Sequence, residues 1–336
     1  MYTSVGFSPS PPLSSAGTMT SADFSRLALL HGFEFHSVAA ASVRPPRLRT
    51  QSFTLGCVYH LNLLPEHLAD DVIVVGDPNR VPMLSSLLDS IELKRSNREI
   101  ATHTGYIGKK RITIMSTGMG TDNIDIVMTE LDVLASFDLK TKTLKDKCNR
   151  RTLNIIRLGS CGALQKDIEP GHPVMTHYAV GLDGLLYFYD CNPEIFEREL
   201  TDQLTKHLNW DVKLPSIYCT KASEKLEKLF EGQGFIKGIT LSAPGFYGPQ
   251  GRNIHLPLKY PDINDKVETF AYNGYKIANY EMESSATYGL GKALGHNALT
   301  ICIPIANRTN GKFVSDYHSM MKNLGTKVFE ILEATA

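Results

Sequence analysis

A chain of 336 residues with 42% hydrophobic content can bury one large core or two ordinary ones. Its 35 basic and 35 acidic residues cancel, which argues against a nucleic-acid or membrane-surface partner, since either would select a basic face. No run of about 18 apolar residues is present to span a bilayer, so a small, locally bound ligand fits better.

The six cysteines, at positions 57, 148, 161, 191, 219 and 302, form no C-x-x-C pair. That spacing suggests neither a zinc site nor a disulfide framework, and it points to a reducing, cytoplasmic setting. Residues 1–57 are rich in Ser, Pro and Ala, and carry only Asp23 and Glu34 against Arg26, Arg44, Arg47 and Arg49. This composition reads as a disordered extension. An organelle-targeting leader is the alternative, although two Pro-Pro pairs and the lack of a long amphipathic repeat speak against it; Met19 offers a later start.

From residue 58 to 336 a single domain is expected, in which strands and helices alternate. "DVIVVGD" at 71–77 is a short buried strand ending in Gly-Asp, and "RITIMSTGMG" at 111–120 is another. Ile124, Val127, Met128, Leu131 and Leu134 then recur at helical spacing within 121–136, marking an amphipathic helix on the sheet. The segment 136–151 is longer than a simple link and rich in lysine, which suggests an exposed excursion. "NIIRLGSCG" at 154–162 repeats the strand-then-glycine form, "YNGYK" at 272–276 reads as a hairpin turn, and "LTICIPIANRT" at 299–309 is a fourth apolar run. In open α/β sheets ligands bind beyond the carboxyl ends of the strands, so a layered α/β fold with one cleft is expected.

Several motifs could furnish that cleft. Gly118 and Gly120 begin a dinucleotide fingerprint, but Asn123 stands at the third glycine and the match fails. In "GDPNR" Gly76 lets an anion approach the backbone, Pro78 stiffens the turn and Arg80 adds a forked cation; a plain turn with a solvated arginine is the alternative. Arg157 lies inside "NIIRLG", where an arginine is rarely buried without an anionic partner. The glycine amides and the Ser160 hydroxyl of Gly159–Gly162 complete the parts of a phosphate site. "YGPQGR" sets Gln250 and Arg252 two residues apart after the Phe246 ring, a combination that can read a flat heterocycle but also suits an ordinary surface loop. In "NYEMESSATY" Glu281 and Glu283 flank Met282; they suit the first turn of a helix, and equally a ligand.

Taken in order, "YHLNL", "GDPNR", "NRE", "STGMG", "RLGSCGA", "GPQGR", "YEMESSA" and "ANRT" resemble the nucleoside phosphorylase family, in particular its uridine phosphorylase branch, over residues 58–336. The resemblance implies a three-layer α/β/α fold around a central mixed, partly barrel-like sheet. It also implies a pentosyltransferase in which inorganic phosphate, as co-substrate, attacks C1′ of a nucleoside to give ribose 1-phosphate and free base. Gly76, Arg80, Arg157 and Ser160 match the phosphate site, and Met282 and Glu283 the ribose contacts. Arg98 and His60 match residues that reach phosphate and ribose from a neighbouring subunit, so a homo-oligomer is implied, either a dimer or a hexamer of dimers. Phe246, Gln250 and Arg252 match the base site, lined by Cys161 and Gly162 with Arg308 nearby. Arg157, Glu283, Arg252 and Gln250 are the expected catalytic residues, and no metal or organic cofactor is implied.

The chemistry of the residues agrees. Breaking a glycosidic bond passes through an oxocarbenium-like state, which a carboxylate and a phosphate stabilise while cations receive the departing base. "GSCG" resembles the purine enzymes, whereas the Gln-x-Arg pair matches the pyrimidine branch. In "NRTN" Arg308 stands near the place of the purine acid, and arginine cannot serve as an acid at neutral pH. Uridine is therefore expected. A purine-type phosphorylase or a nucleosidase of the same fold is the alternative, and a non-catalytic nucleoside-binding protein a distant one. Some uridine enzymes bind a monovalent cation between subunits near the glutamate matching Glu99; the match downstream is inexact and no cation is assigned.

Overall fold

The computed structural model describes residues 53–54 and 56–336. Most of the 1–57 extension, with the disorder and targeting expected of it, lies outside the described residues. In chain order the strands are β1 (Phe53–Thr54), β2 (Cys57–Val58), β3 (Asp71–Val75), β4 (Ser90–Asn97), β5 (Ile100–Ile107), β6 (Lys110–Ser116), β7 (Phe137–Asp138), β8 (Thr143–Leu144), β9 (Asn154–Ala163), β10 (Val174–Gly181), β11 (Tyr218–Lys221), β12 (Ile236–Ser242), β13 (Ala271–Tyr272), β14 (Tyr275–Glu281) and β15 (Asn297–Asn307). The helices are α1 (Arg80–Ser85), α2 (Thr121–Ser136), α3 (Arg198–Leu208), α4 (Glu224–Leu229), α5 (Ile263–Thr269), α6 (Ser284–Leu294) and α7 (Tyr317–Glu333).

The four apolar runs expected from the sequence are β3, β6, β9 and β15. They lie side by side as β15-β9-β3-β6 and are all parallel, so their carboxyl ends share one edge. Both faces of this block are covered, which is why its strands are continuously apolar rather than alternating. Val72 and Val74 pack with Ile124, Val127, Met128 and Leu131 of α2, while Ile73 and Val75 pack with Leu324, Val328 and Phe329 of α7. Alternate side chains of one strand thus enter two cores, and three layers result.

Beyond β15 the sheet continues through β10, β12 and β14. There β14 turns back to pair antiparallel with β9, Asn279 against Ala163 and Tyr280 against Gly162. Strands β9, β15, β10, β12 and β14 therefore close on one another as a barrel, and the expected mixed, partly barrel-like sheet is present. The "YNGYK" turn joins β13 to β14 with Asn273 at φ 49° and Gly274 at φ 81°, the pair of positive values that a type I′ hairpin demands. Segment 136–151 holds the small β7–β8 hairpin and exposes Lys140 and Lys147, as its composition suggested. No described helix is long and apolar enough to cross a membrane.

Candidate active site

At the edge where β3, β6, β9 and β15 end and β14 crosses β9, a cavity of about 700 Å³ opens. Gly76, Arg80, Arg157, Ser160, Cys161, Gly162, Phe246, Gln250, Arg252, Met282, Glu283 and Arg308 all line it. Residues spread over more than 230 positions of sequence meet here because the parallel strands end together and the barrel closure brings β14 to them.

The floor is a buried charge cluster. Arg157, in the middle of β9, pairs through Nη1 with Glu281 Oε2 at 3.2 Å and donates through Nη2 to Glu283 Oε2, while Nη1 also donates to Cys302 Sγ at 3.3 Å. The anionic partner that a strand arginine requires is thus supplied by the protein itself. The two carboxylates have different further partners. Glu281 accepts from the amides of Glu283 (3.0 Å) and Ser284 (2.9 Å) and from the Ser242 hydroxyl, so it satisfies the first free N–H groups of α6 and ties the helix to β12. Neither glutamate lies in the first turn of α6: Glu283 stands at its N-cap, and Glu281, the last residue of β14, reaches the first amides with its side chain. Glu283 instead accepts from the Gly120 amide at 2.8 Å and its neighbour Met282 at 3.2 Å, and lines the cavity. Burial pushes the Glu283 carboxyl above its usual range, with Glu281 adding to the rise, while Arg157 and the two amides pull it back. For Arg157 burial acts to lower the guanidinium, but the two carboxylates outweigh it and the net direction is upward.

Gly120 gives the partial G-x-G motif a purpose unrelated to a dinucleotide. At φ 93° it caps α2 and aims its N–H at Glu283, a conformation that a residue with a side chain rarely adopts.

At one end of the cavity, Arg80 opens α1 and reaches Ser160 on β9, Nη2 to Oγ, at 3.4 Å. Burial lowers its pKa, and Tyr317 opposes that shift; arginine remains charged at neutral pH nonetheless. Gly76 follows β3 directly. At the other end the loop after β12 carries Phe246, Gln250 and Arg252. The Arg252 guanidinium lies 3.7 Å from the Phe246 ring centre and donates to Gln250 Oε1 at 2.6 Å. Arg308, just past β15, donates to the same Oε1 and, at 2.9 Å, to the Gln250 carbonyl. Guanidinium groups only donate, so the atom between them is the amide oxygen. Burial, then the nearby Arg252 charge, brings the Arg308 pKa down to about 10.

His60 and Arg98 are not in the cavity of their own chain. They form a separate group in which Arg98 lies 5.7 Å from the Tyr59 ring centre and that ring meets the His60 imidazole edge-on at 4.8 Å. Glu130 of α2 holds this group: Oε1 is 2.6 Å from His60 Nδ1, and the carboxylate accepts from the His60 and Leu61 amides. Glu130 and Tyr317 were not visible from sequence. Each acts on a residue far away in the chain, and no local spacing announces it. A second cavity, of about 690 Å³, lies behind Arg252. Trp210, Leu214, Pro244, Pro257 and Leu256 make it largely apolar, and although Arg252, His255 and Lys259 reach it, no carboxylate among the described residues lines it to oppose them.

The profile of the phosphorylase superfamily matches residues 70–336. The chain belongs to the phosphorylase superfamily. It is similar to a uridine phosphorylase of Thermococcus kodakarensis, 30% identical over 77% of this chain and 80% of the relative. A uridine phosphorylase of Haemophilus influenzae is 29% identical over 75% and 87%. A DeoD-type purine nucleoside phosphorylase of Tolumonas auensis is 26% identical over 72% and 84%. A solved nucleoside phosphorylase of Trypanosoma brucei that shows uridine phosphorylase activity aligns with a TM-score of 0.73 at 26% identity, covering 87% of this chain and 100% of its own. Membership in the superfamily carries the expected enzyme class, a pentosyltransferase, and the fold is of the nucleoside phosphorylase type.

Proposed function

We propose that this superfamily member catalyses the phosphorolysis of uridine to uracil and ribose 1-phosphate. The observation that carries the pyrimidine reading is the base end, where Gln250 is clamped between Arg252 and Arg308. The carboxylates lining the cavity are Asp77, Glu99, Glu281 and Glu283, none of them on the segment after β15, where Arg308 stands near the place of the purine acid. A purine-type mechanism that protonates the leaving base has no acid in that position.

In this reading phosphate lies against Gly76, Arg80 and Ser160, and one of its oxygens attacks C1′ as the C1′–N1 bond breaks. The bonding pair departs with the base, whose negative charge meets the donors of Gln250 and Arg252, with Arg308 beside them. Positive charge on the sugar faces Glu283 and the phosphate. Met282 packs beside the ribose, and Cys161 and Gly162 floor the base site. Arg157 holds Glu283 in place and closes the phosphate side. The arginines supply the charge that the phosphate needs, so the reading calls for no metal or organic cofactor.

His60 and Arg98 complete the site from a neighbouring subunit, because both lie outside their own cavity, and the active form is therefore at least a dimer. Mixing a His60→Ala variant with a Glu283→Gln variant, each nearly inactive, should restore up to about a quarter of normal activity through hybrid dimers that hold one intact site. No recovery after subunit exchange removes the shared site. A panel of uridine, thymidine, inosine and adenosine, with and without phosphate, tests the whole reading. Base release from uridine only when phosphate is present is expected. Preference for inosine would turn the assignment to the purine reading, and release without phosphate to a nucleosidase.

A further inference from the structure

The cleft does not stop at Arg80 and Ser160. A further cavity of about 400 Å³ continues past them, and its outer wall is Phe313, Val314 and Tyr317. The two cavities have Arg80, Ser160, Ile305 and Ala306 in common. Tyr317 is the first residue of α7, whose apolar face is anchored in the core through Met321 and Leu324, so its position is set by a long, well-packed helix.

The Tyr317 ring lies 4.9 Å from the Arg80 guanidinium carbon and steadies it by a cation–π contact. Two buried polar atoms at this point have no hydrogen-bond partner among the described residues, Arg80 Nε and the Tyr317 hydroxyl. The Ser160 hydroxyl is near enough to the phenol oxygen to lower its pKa as a donor would, but among the described residues no acceptor takes the Tyr317 O–H. The Asp77 carboxylate acts on Arg80 through its charge, but its bond is to the Asn79 amide, through Oδ1 at 2.9 Å, and not to Arg80. Burying unpaired polar groups is costly, and two potential donors at one junction mark the place of a missing acceptor. Burial also pushes the Tyr317 phenol up, so at neutral pH it keeps its proton.

We propose that Tyr317 is a phosphate-binding residue, its hydroxyl and Arg80 Nε donating to the oxygens of a phosphate held against Arg80 and Ser160. This rests on the phosphorylase reading above and adds to it a contact from the C-terminal helix. A phosphate seated there would satisfy both unpaired atoms at once, and the aromatic ring would keep Arg80 from swinging into the outer cavity.

The test is a titration of inorganic phosphate alone into wild-type protein and Tyr317→Phe, which keeps the ring on Arg80 and removes only the hydroxyl. The Kd for phosphate should rise about tenfold, the usual loss for one hydrogen bond to a charged group. In turnover the KM for phosphate should rise by a similar factor and the KM for uridine by much less. Equal phosphate affinity in the two proteins overturns the proposal. So does a Tyr317→Leu variant that binds phosphate weakly while Tyr317→Phe binds normally, because the ring alone would then be responsible. Phosphate-independent base release by the wild type would sink the phosphorylase reading separately, and the binding titration would still decide the role of Tyr317.

Discussion

The floor and the loop end of the active cleft are built differently. The carboxylate floor is made by strands β9 and β14 at the barrel closure, where Arg157, Glu281 and Glu283 are nearly inaccessible and each bonded to two or more neighbours. The base end is made by a loop, with Phe246 half exposed and Gln250 oriented by two arginines that are themselves only partly buried. The difference suits the proposed phosphorolysis. Charge that acts on a transition state must be preorganised, so it sits on rigid elements and is cross-linked. Recognition of a base can be varied with little cost to the scaffold, so it is placed on a loop.

The largest expected effect breaks the floor. Glu283→Gln keeps the shape of the side chain and removes the charge facing the sugar, and kcat should fall by about 10²–10³. An unchanged turnover would take Glu283 out of the mechanism. Its neighbour provides the control. Glu281→Ala leaves Arg157 short of one partner and α6 without its anchor, and removing one member of a buried ion pair costs about 3–5 kcal/mol. Urea unfolding should show that loss in Glu281→Ala, and a smaller one in Glu283→Gln. Equal losses would mean that the two carboxylates share one role.

Much of the floor could be read from the sequence, and little of its wiring. Strands β3, β6, β9 and β15 were legible because burial on both faces makes them uninterrupted apolar runs. The need of Arg157 for an anion was legible too, since a charged residue within such a run is anomalous. That the anions would be Glu281 and Glu283 depends on β14 returning to β9, a pairing of strands more than 100 residues apart that leaves no local pattern. The Gly118–Gly120 pair looked like a failed cofactor motif because its partner, the Glu283 carboxylate, lies 163 positions downstream. At the base end the residues Phe246, Gln250 and Arg252 were visible as a cluster, but the second arginine that orients the amide arrives from β15, and so the direction in which Gln250 points was not.

A smaller effect tests that orientation. Gln250→Leu keeps most of the volume and leaves a base carbonyl without its donor, so kcat/KM for uridine should drop about 10- to 100-fold. Discrimination among bases should weaken with it. If selectivity in the nucleoside panel stays intact, specificity lies elsewhere, and the apolar cavity behind Arg252 becomes the place to look.

The smallest effect is a pH dependence. Burial and the neighbouring Arg252 lower the Arg308 pKa to about 10, so holding this residue charged costs stability below that value and the cost is relieved as pH rises through it. Function runs the opposite way. Neutral Arg308 holds Gln250 Oε1 only by a weaker, uncharged hydrogen bond, and the base end loses one of the cations that receive the departing charge. The KM for uridine should therefore increase several-fold between about pH 9 and pH 11, on top of the ionisation of the base itself, which titrates in the same range as other weak acids of this kind. Arg308→Ala supplies the comparison that separates the two. It should begin at a raised KM and show only the limb due to the substrate, so the ratio of variant to wild-type KM should shrink toward one as pH climbs. A ratio that stays constant and above one would show that Arg308 keeps its charge across this window, and a ratio of one throughout would show that the clamp on Gln250 is held by Arg252 alone.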